Sequence, residues 1–170
     1  MARSGSALAP SAPTTARSPA APAARSNRRV FVVHGHEGEM KANVAHFLTR
    51  MGLEPIILAE QVNAGRTIIE KFETHADVGY AVVLLSPDDP SPVVNHARAR
   101  QNVILEWGYF IGRLGRSRVT ALKKGSVELP SDIIGMVWEE YDDRGAWKRQ
   151  LVRELIEAGM DVDKAKAILA

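Results

Sequence analysis

One carboxylate in this chain stands where a carboxylate is costly. Glu106 lies within Val103-Ile104-Leu105-Glu106-Trp107-Gly108-Tyr109-Phe110-Ile111, apolar nearly all round a helix, so the segment is expected to be largely buried. A buried carboxylate is unfavourable unless it is paired or serves chemistry. Asn102 precedes it by one helical turn and Arg98 by two, so a continuous helix would stack all three along one face. Two uses fit: an ion pair with Arg98, Arg113 or a neighbouring helix, or an acid kept for a reaction. A lone carboxylate can stabilise positive charge that develops beside it, or orient an attacking water.

Other polar groups fall where apolar runs end. His34-Gly35-His36 closes the run Val30-Phe31-Val32-Val33, and its glycine lets backbone amides approach a ligand. His34 is either a ligand contact or a turn histidine bonded to backbone. A metal reading of the histidine pair lacks third and fourth ligands at a recognisable spacing. Ser86 and Asp88 follow the run Tyr80 to Leu85 and either bound a pocket or serve turn chemistry, which Ser-Pro-Asp-Asp favours in any case. Arg66 opens a helical segment and is either a pyrophosphate contact at that helix start or a solvated surface arginine. Trp107 and Tyr109 read as core or subunit contacts, with Trp107 also placed to stack on a ring beside Glu106. There is no Gly-x-Gly-x-x-Gly after the first strand, which disfavours a hydride-transferring dinucleotide enzyme, and no phosphate-loop lysine motif.

The elements that must position these groups alternate. Arg29–Val33 is a short β-branched run typical of a strand buried on both faces. Glu37 to Met51 reads as helix, apolar at Val44, Phe47, Leu48 and Met51, with Gly52 as its C-terminal glycine. Glu54 to Leu58 is a second strand, with Pro55 confined to its start. Arg66 to His75 reads as helix, and Tyr80–Leu85 as the central strand. Ser86 to Pro92, with three prolines, reads as loop. Arg98 to Leu114 reads as helix, Arg118 to Leu122 as a fourth strand, Met136 to Tyr141 as a short fifth, and Ala146 to Ala158 as a closing helix. This order implies an α/β parallel sheet with helices on both faces. Ligands of such sheets sit beyond the carboxyl ends of the strands, where strand order reverses. That rule selects His34–His36, the loop near Gly65-Arg66, and Ser86–Asp88.

Composition sets the boundaries. Residues 1–27 hold no aromatic residue and no carboxylate but four of the nine prolines, and are read as a disordered tail. Residues 28–163 are the domain, and 164–170 a C-terminal extension. Arg3, Arg17, Arg25, Arg28 and Arg29 all precede Val30, so the formal net charge of +2 becomes −3 from Val30 onwards. The basic balance of the whole chain therefore says nothing about the folded part, and no direct nucleic-acid partner is expected. No cysteine is present, which removes disulfides, thiol catalysis and Cys-based zinc sites. No apolar run approaches a membrane span, and a soluble, cytoplasmic protein is expected.

Five blocks, in order, resemble one family: Val32 to His36; Gly65-Arg66-Thr67-Ile68-Ile69-Glu70-Lys71-Phe72; Ala81 to Asp89; Arg100 to Gly112; and Glu128-Leu129-Pro130-Ser131-Asp132-Ile133. Together they resemble the bacterial TIR-like nucleotide-binding family, of the kind fused to cyclic-dinucleotide or cyclic-nucleotide sensors in antiphage defence. The likeness runs from about Arg29 to Asp163. It implies a flavodoxin-like three-layer sandwich with a five-stranded sheet in the order 2-1-3-4-5. The implied activity is cleavage of the nicotinamide–ribose bond of NAD⁺, with the family's catalytic glutamate at Glu106, in the segment Asn102 to Glu106.

Nicotinamide is already a cationic leaving group, so bond breaking develops oxocarbenium character on the ribose, and one carboxylate suffices without a metal. NAD⁺ is then substrate, and no cofactor is expected. His34, Gly35, His36, Arg66, Ser86, Asp88, Asn102 and Trp107 are the expected binding residues. Activity through a homo-oligomer or filament, or under a separate sensor protein, follows from the resemblance. Two alternatives stay open: a non-catalytic nucleotide-binding or TIR–TIR signalling module, and a nucleoside deoxyribosyltransferase-like enzyme.

Overall fold

The computed structural model describes residues 28–58, 70, 77–90, 97–129 and 138–167. In chain order its elements are β1 (Arg29–Val33), α1 (Gly38–Arg50), β2 (Glu54–Ile56), β3 (Tyr80–Leu85), β4 (Asp89–Pro90), β5 (Ala97–Arg98) and α2 (Gln101–Leu114). A short 3-10 turn (Arg116–Arg118), β6 (Val119–Lys123), β7 (Val127–Glu128), β8 (Trp138–Glu140), α3 (Ala146–Glu157) and α4 (Lys164–Ala167) follow. Five strands form one sheet in the order β2-β1-β3-β6-β8, parallel at every pairing. Numbered among themselves, these five have the expected order 2-1-3-4-5. Of the expected helix at Arg66 to His75 only Glu70, which is helical, is among the described residues; the tail and the last three residues lie outside them.

The three layers follow from strand periodicity. Val30, Val32, Tyr80, Val82 and Leu84 point to one face and pack with Val44, Phe47 and Leu48 of α1 and Trp147, Leu151 and Leu155 of α3. Phe31, Val33, Ala81, Val83 and Leu85 point the other way, onto Val103, Trp107 and Phe110 of α2. Successive residues of a strand face opposite sides, so a strand covered on both faces must be apolar throughout. All six residues of β3 are buried, as its uncharged sequence requires. β1 and β3 pair in register from Val30↔Tyr80 to Val33↔Val83, which sets their two following turns side by side.

The ends of α1 are defined by side-chain and backbone chemistry. The Glu37 carboxylate accepts the Met40 amide at 2.6 Å and caps the first turn. Gly52, at φ +80°, takes the left-handed conformation beyond the last turn, as its position in the sequence suggested.

Three expectations need correction. The segment Arg98 to Leu114 is not one helix: α2 begins at Gln101, and Arg98 belongs to β5. Arg98 is held there by a two-bond pair with Glu128, both bonds 2.9 Å long, a fork geometry that outweighs one more helical turn. The proline-rich loop carries a strand after all, since Asp89–Pro90 pairs antiparallel with Ala97–Arg98, which pairs with Val127–Glu128. Proline is tolerated because β4 lies at the edge of that small sheet and needs no donor there. Finally, α2 is amphipathic: Val103, Trp107 and Phe110 are buried at helical spacing, whereas Leu105 is 55% exposed. Among the described residues no helix is long and apolar enough to cross a membrane.

One buried polar contact ties the central strands together. Tyr80 Oη and Thr120 Oγ1 lie 2.6 Å apart across β3 and β6, and burial pushes the phenol up to about 12, the hydrogen bond working against that rise. Tyr80→Phe is expected to cost about 1–3 kcal/mol, because it leaves the Thr120 hydroxyl buried without this partner. Tyr80→Phe combined with Thr120→Val should cost less than the two single changes added together. Denaturant unfolding of the four proteins measures this, and strict additivity would refute the coupling.

Candidate functional site

The carboxyl edge of the sheet brings the β1 and β3 turns together. His34 is half-buried and faces two backbone carbonyls, with Nδ1 2.8 Å from Gly35 O and Nε2 3.2 Å from Leu58 O. A neutral imidazole has one N–H to donate, so the ring serves one carbonyl at a time or both when protonated. This geometry favours the turn-holding use of His34, which links the end of β1 to the chain leaving β2. Ser86 is buried, and its hydroxyl donates to Asp88 Oδ2 at 3.0 Å. Gly35 is buried against the same carboxylate: a methyl group on its α-carbon would overlap Asp88. Gly35 thus admits a side chain from the neighbouring turn, where the sequence suggested that it admits a ligand. Ser86 and Asp88 likewise act on each other and on this turn.

α2 carries the acid. Gln101 and Ile104 lie on one flank of the helix, against Arg98, Ala99, Glu128 and Leu129. Glu106 is about 200° round from Ile104, on the other flank. Phe110, one turn further on, packs on Phe31 of β1 with ring centroids 4.6 Å apart. Burial pushes the Glu106 carboxyl up to about 7, with the positive charge of Arg100 pulling the other way. Asn102 shares this flank one turn earlier and is exposed, so half of the expected stack is present. Arg98 is not part of it, being bound to Glu128.

Trp107 requires a correction. At 1% exposure, between Val103 and Phe110 on the sheet-facing line of α2, it is a core residue with no face open to a ligand. Arg66 lies outside the described residues. His36 is exposed, and its Nε2 accepts a hydrogen bond from Arg100 Nη1 at 3.0 Å. Arg100 therefore reaches from the start of α2 to the β1 turn while acting electrostatically on Glu106. Sequence reasoning missed this arginine; the signal was a cation immediately before a helix whose first turn contains no acid. It also missed Glu37, which bonds Lys124 Nζ at 3.1 Å while capping α1 and so joins the turns after β1 and β6.

A groove of about 450 Å³ lies elsewhere, between α1 and the start of α3, lined among others by Asn43, Phe47, Tyr141 and Trp147. It is on the opposite face of the sheet from Glu106. Its acids Glu39, Asp142 and Asp143 balance its bases Arg50, Lys124 and Lys148, so it shows no preference for an anion.

The fit of Gly35 to Asp88 can be tested directly. Gly35→Ala is expected to cost about 1–3 kcal/mol by displacing the Asp88 carboxylate from Ser86. Adding Asp88→Ala should relieve most of that penalty in thermal or denaturant unfolding. A double variant no more stable than Gly35→Ala would mean that the glycine serves something other than this contact.

A family model described as the TIR domain of CAP12/Pycsar effector proteins matches residues 29–143. The chain is 48% identical over 149 residues to the uncharacterized protein YuaY of Escherichia coli strain K12, covering 85% of this chain and 50% of that protein. It is 41% identical over 130 residues to protein tirC of Dictyostelium discoideum, covering 68% and 65% respectively. Over 143 residues it is 33% identical to the Pycsar effector protein BcPycTIR of Burkholderia cepacia, covering 73% and 45%. The chain thus spans half the length of the first of these relatives and under two-thirds of the others, and the likeness extends beyond bacteria. The parallel sheet, the order of its strands and the extent of the match agree, and the chain belongs to the CAP12/Pycsar effector TIR-domain family.

Proposed function

We propose that this domain is an NAD⁺ nucleosidase, with Glu106 as the residue that acts on the nicotinamide–ribose bond. The observation that carries this reading is the placement of Glu106: half-buried on the flank of α2, titrating at about 7, without a salt bridge or hydrogen bond among the described residues. A structural glutamate in such a position is normally paired. A carboxylate poised near neutrality can ionise at little cost when a cation enters, and the nicotinamide riboside end of NAD⁺ is such a cation.

In the reaction the bond between ribose C1′ and the nicotinamide nitrogen breaks, and its electron pair leaves with neutral nicotinamide. Positive charge then grows on C1′ and the ring oxygen. The Glu106 carboxylate stabilises it through space or through the ribose hydroxyls. Water adds at C1′ and gives up a proton, and the products are nicotinamide and ADP-ribose. The leaving group is already cationic, so the step asks for neither a metal nor a general acid, and NAD⁺ is substrate with no further cofactor.

Relatives named Pycsar effector proteins support an effector role, and we assign this domain to the antiphage defence setting that the family resemblance implies. Assembly into a homo-oligomer or filament, alone or under a sensor protein, would complete the pocket and switch the activity on.

Concentrated wild-type protein should release nicotinamide from NAD⁺, and Glu106→Gln should lower the rate at least about a hundredfold while keeping the fold. The ionised form is the active one, so kcat/KM should rise with pH and level off above about 7. Chromatography of nicotinamide across this range checks both statements. Equal turnover by the two proteins would overturn the assignment of Glu106, and no turnover under assembling conditions would leave a binding module as the better reading.

A further inference from the structure

We propose that the small sheet β4-β5-β7 is a frame that sets the first turn of α2, and that Arg98, which closes the frame on Glu128, is a positioning residue. It acts through Asn102, one turn before Glu106. The positioning role deepens the reading of Glu106 given above and rests on it.

Local chemistry does not hold the start of α2. α1 is capped by the Glu37 carboxylate and carries Glu39 in its first turn. α2 has no side-chain cap bond and no acid in its first turn. Its first intrahelical bond, from the Ile104 amide to the Arg100 carbonyl, is long at 3.3 Å. A helix end built in this way frays unless tertiary contacts hold it. The core contacts of α2 start at Val103, whereas Gln101 and Asn102 before it are exposed. Core packing therefore fixes the rotation of the helix and leaves its first turn to another constraint.

The small sheet supplies that constraint. β4 begins directly after Asp88, β5 ends at Arg98 just before α2 begins at Gln101, and β7 follows the β6 turn that carries Lys124. Pairing of Asp89 with Arg98, and of Arg98 with Glu128, thus ties the chain leaving β3 and the chain leaving β6 to the entry of α2. Each strand is only two residues long, so its backbone bonds alone hold little. Arg98 and Glu128 are in register and half-buried, and their two 2.9 Å bonds fix distance and angle together. Ala99, buried in the core between β5 and α2, carries that anchor into the helix. The pair lies against Gln101 and Ile104, on the flank of α2 away from Glu106. What it sets is the turn that carries Asn102, whose own flank is the one shared with Glu106.

The experiment uses the full chain as wild type and Arg98→Ala, each with Asn102 and with Asn102→Ala. Amide hydrogen exchange followed by NMR reads the frame without any turnover. Arg98→Ala should speed exchange of the Ile104 amide about tenfold or more, with the amides from Phe110 to Leu114 as in the wild type. Nicotinamide release from NAD⁺ is then measured on the same proteins. Arg98→Ala should lower kcat/KM about tenfold or more, since misplaced substrate-positioning groups are costly. Once Asn102 is replaced by alanine, Arg98→Ala should cost nothing further. Unchanged exchange at Ile104, or an equal rise throughout α2, would overturn the frame. Undiminished kcat/KM in Arg98→Ala, or an equal loss with and without Asn102, would overturn its action through Asn102. Faster exchange at Ile104 with no turnover by any of the proteins would support the frame and reject the nucleosidase reading, and with it a part for Arg98 in catalysis. Should Arg98→Ala fail to fold, Arg98→Lys, which keeps the charge and loses the fork, serves the same comparisons.

Discussion

The arrangement depends on one packing constraint, the burial of Val103, Trp107 and Phe110 of α2 against the face of the sheet made by Phe31, Val33, Ala81, Val83 and Leu85. These three side chains recur at spacings of four and three, so their burial fixes the rotation of the helix about its axis. With the rotation fixed, Glu106 has no choice of environment. It lies on the margin of the buried line, too far in for full hydration and too far out to be lost in the core. The acid is set by the apolar residues around it.

Holding it there opposes stability. The folded protein keeps Glu106 above its ordinary value near 4.5, so the protonated form is the one the fold favours. That favourable contribution is complete below the ordinary glutamate range and is lost as pH rises through about 7. A full shift of that size corresponds to at most about 3 kcal/mol at neutral and higher pH, a large part of a typical domain's stability. The two-sided core of β1 and β3 sustains that loss. Arg100, at the start of the same helix, is also placed against local preference.

Much of this was legible in the sequence. The alternation of apolar runs gave the parallel sheet, and the switch-point rule singles out the turns after β1 and β3 as candidates. The apolar setting of Glu106 announces a carboxylate raised by burial. What was not legible depended on pairings distant in the chain. Nothing near Arg98 announces Glu128, thirty residues away, so α2 was expected to start one turn early. Gly35 was read as room for a ligand because the Asp88 side chain reaches it only through the β1–β3 register. Trp107 reads as open to a ligand because a helix apolar nearly all round does not say which side meets the sheet. Leu105 and Trp107 differ by two positions, about 200° of helix, and end up on opposite sides.

The central claim is that this fold holds Glu106 as a carboxyl group poised near neutrality. The most direct test is a pH titration of its side-chain carboxyl carbon by NMR, with the resonance assigned by its absence in Glu106→Gln. A midpoint near 7, falling towards acid values when a cationic nicotinamide riboside analogue binds, is the predicted result. A midpoint near 4.5, unmoved by the analogue, would show an ordinary surface glutamate and contradict the assignment.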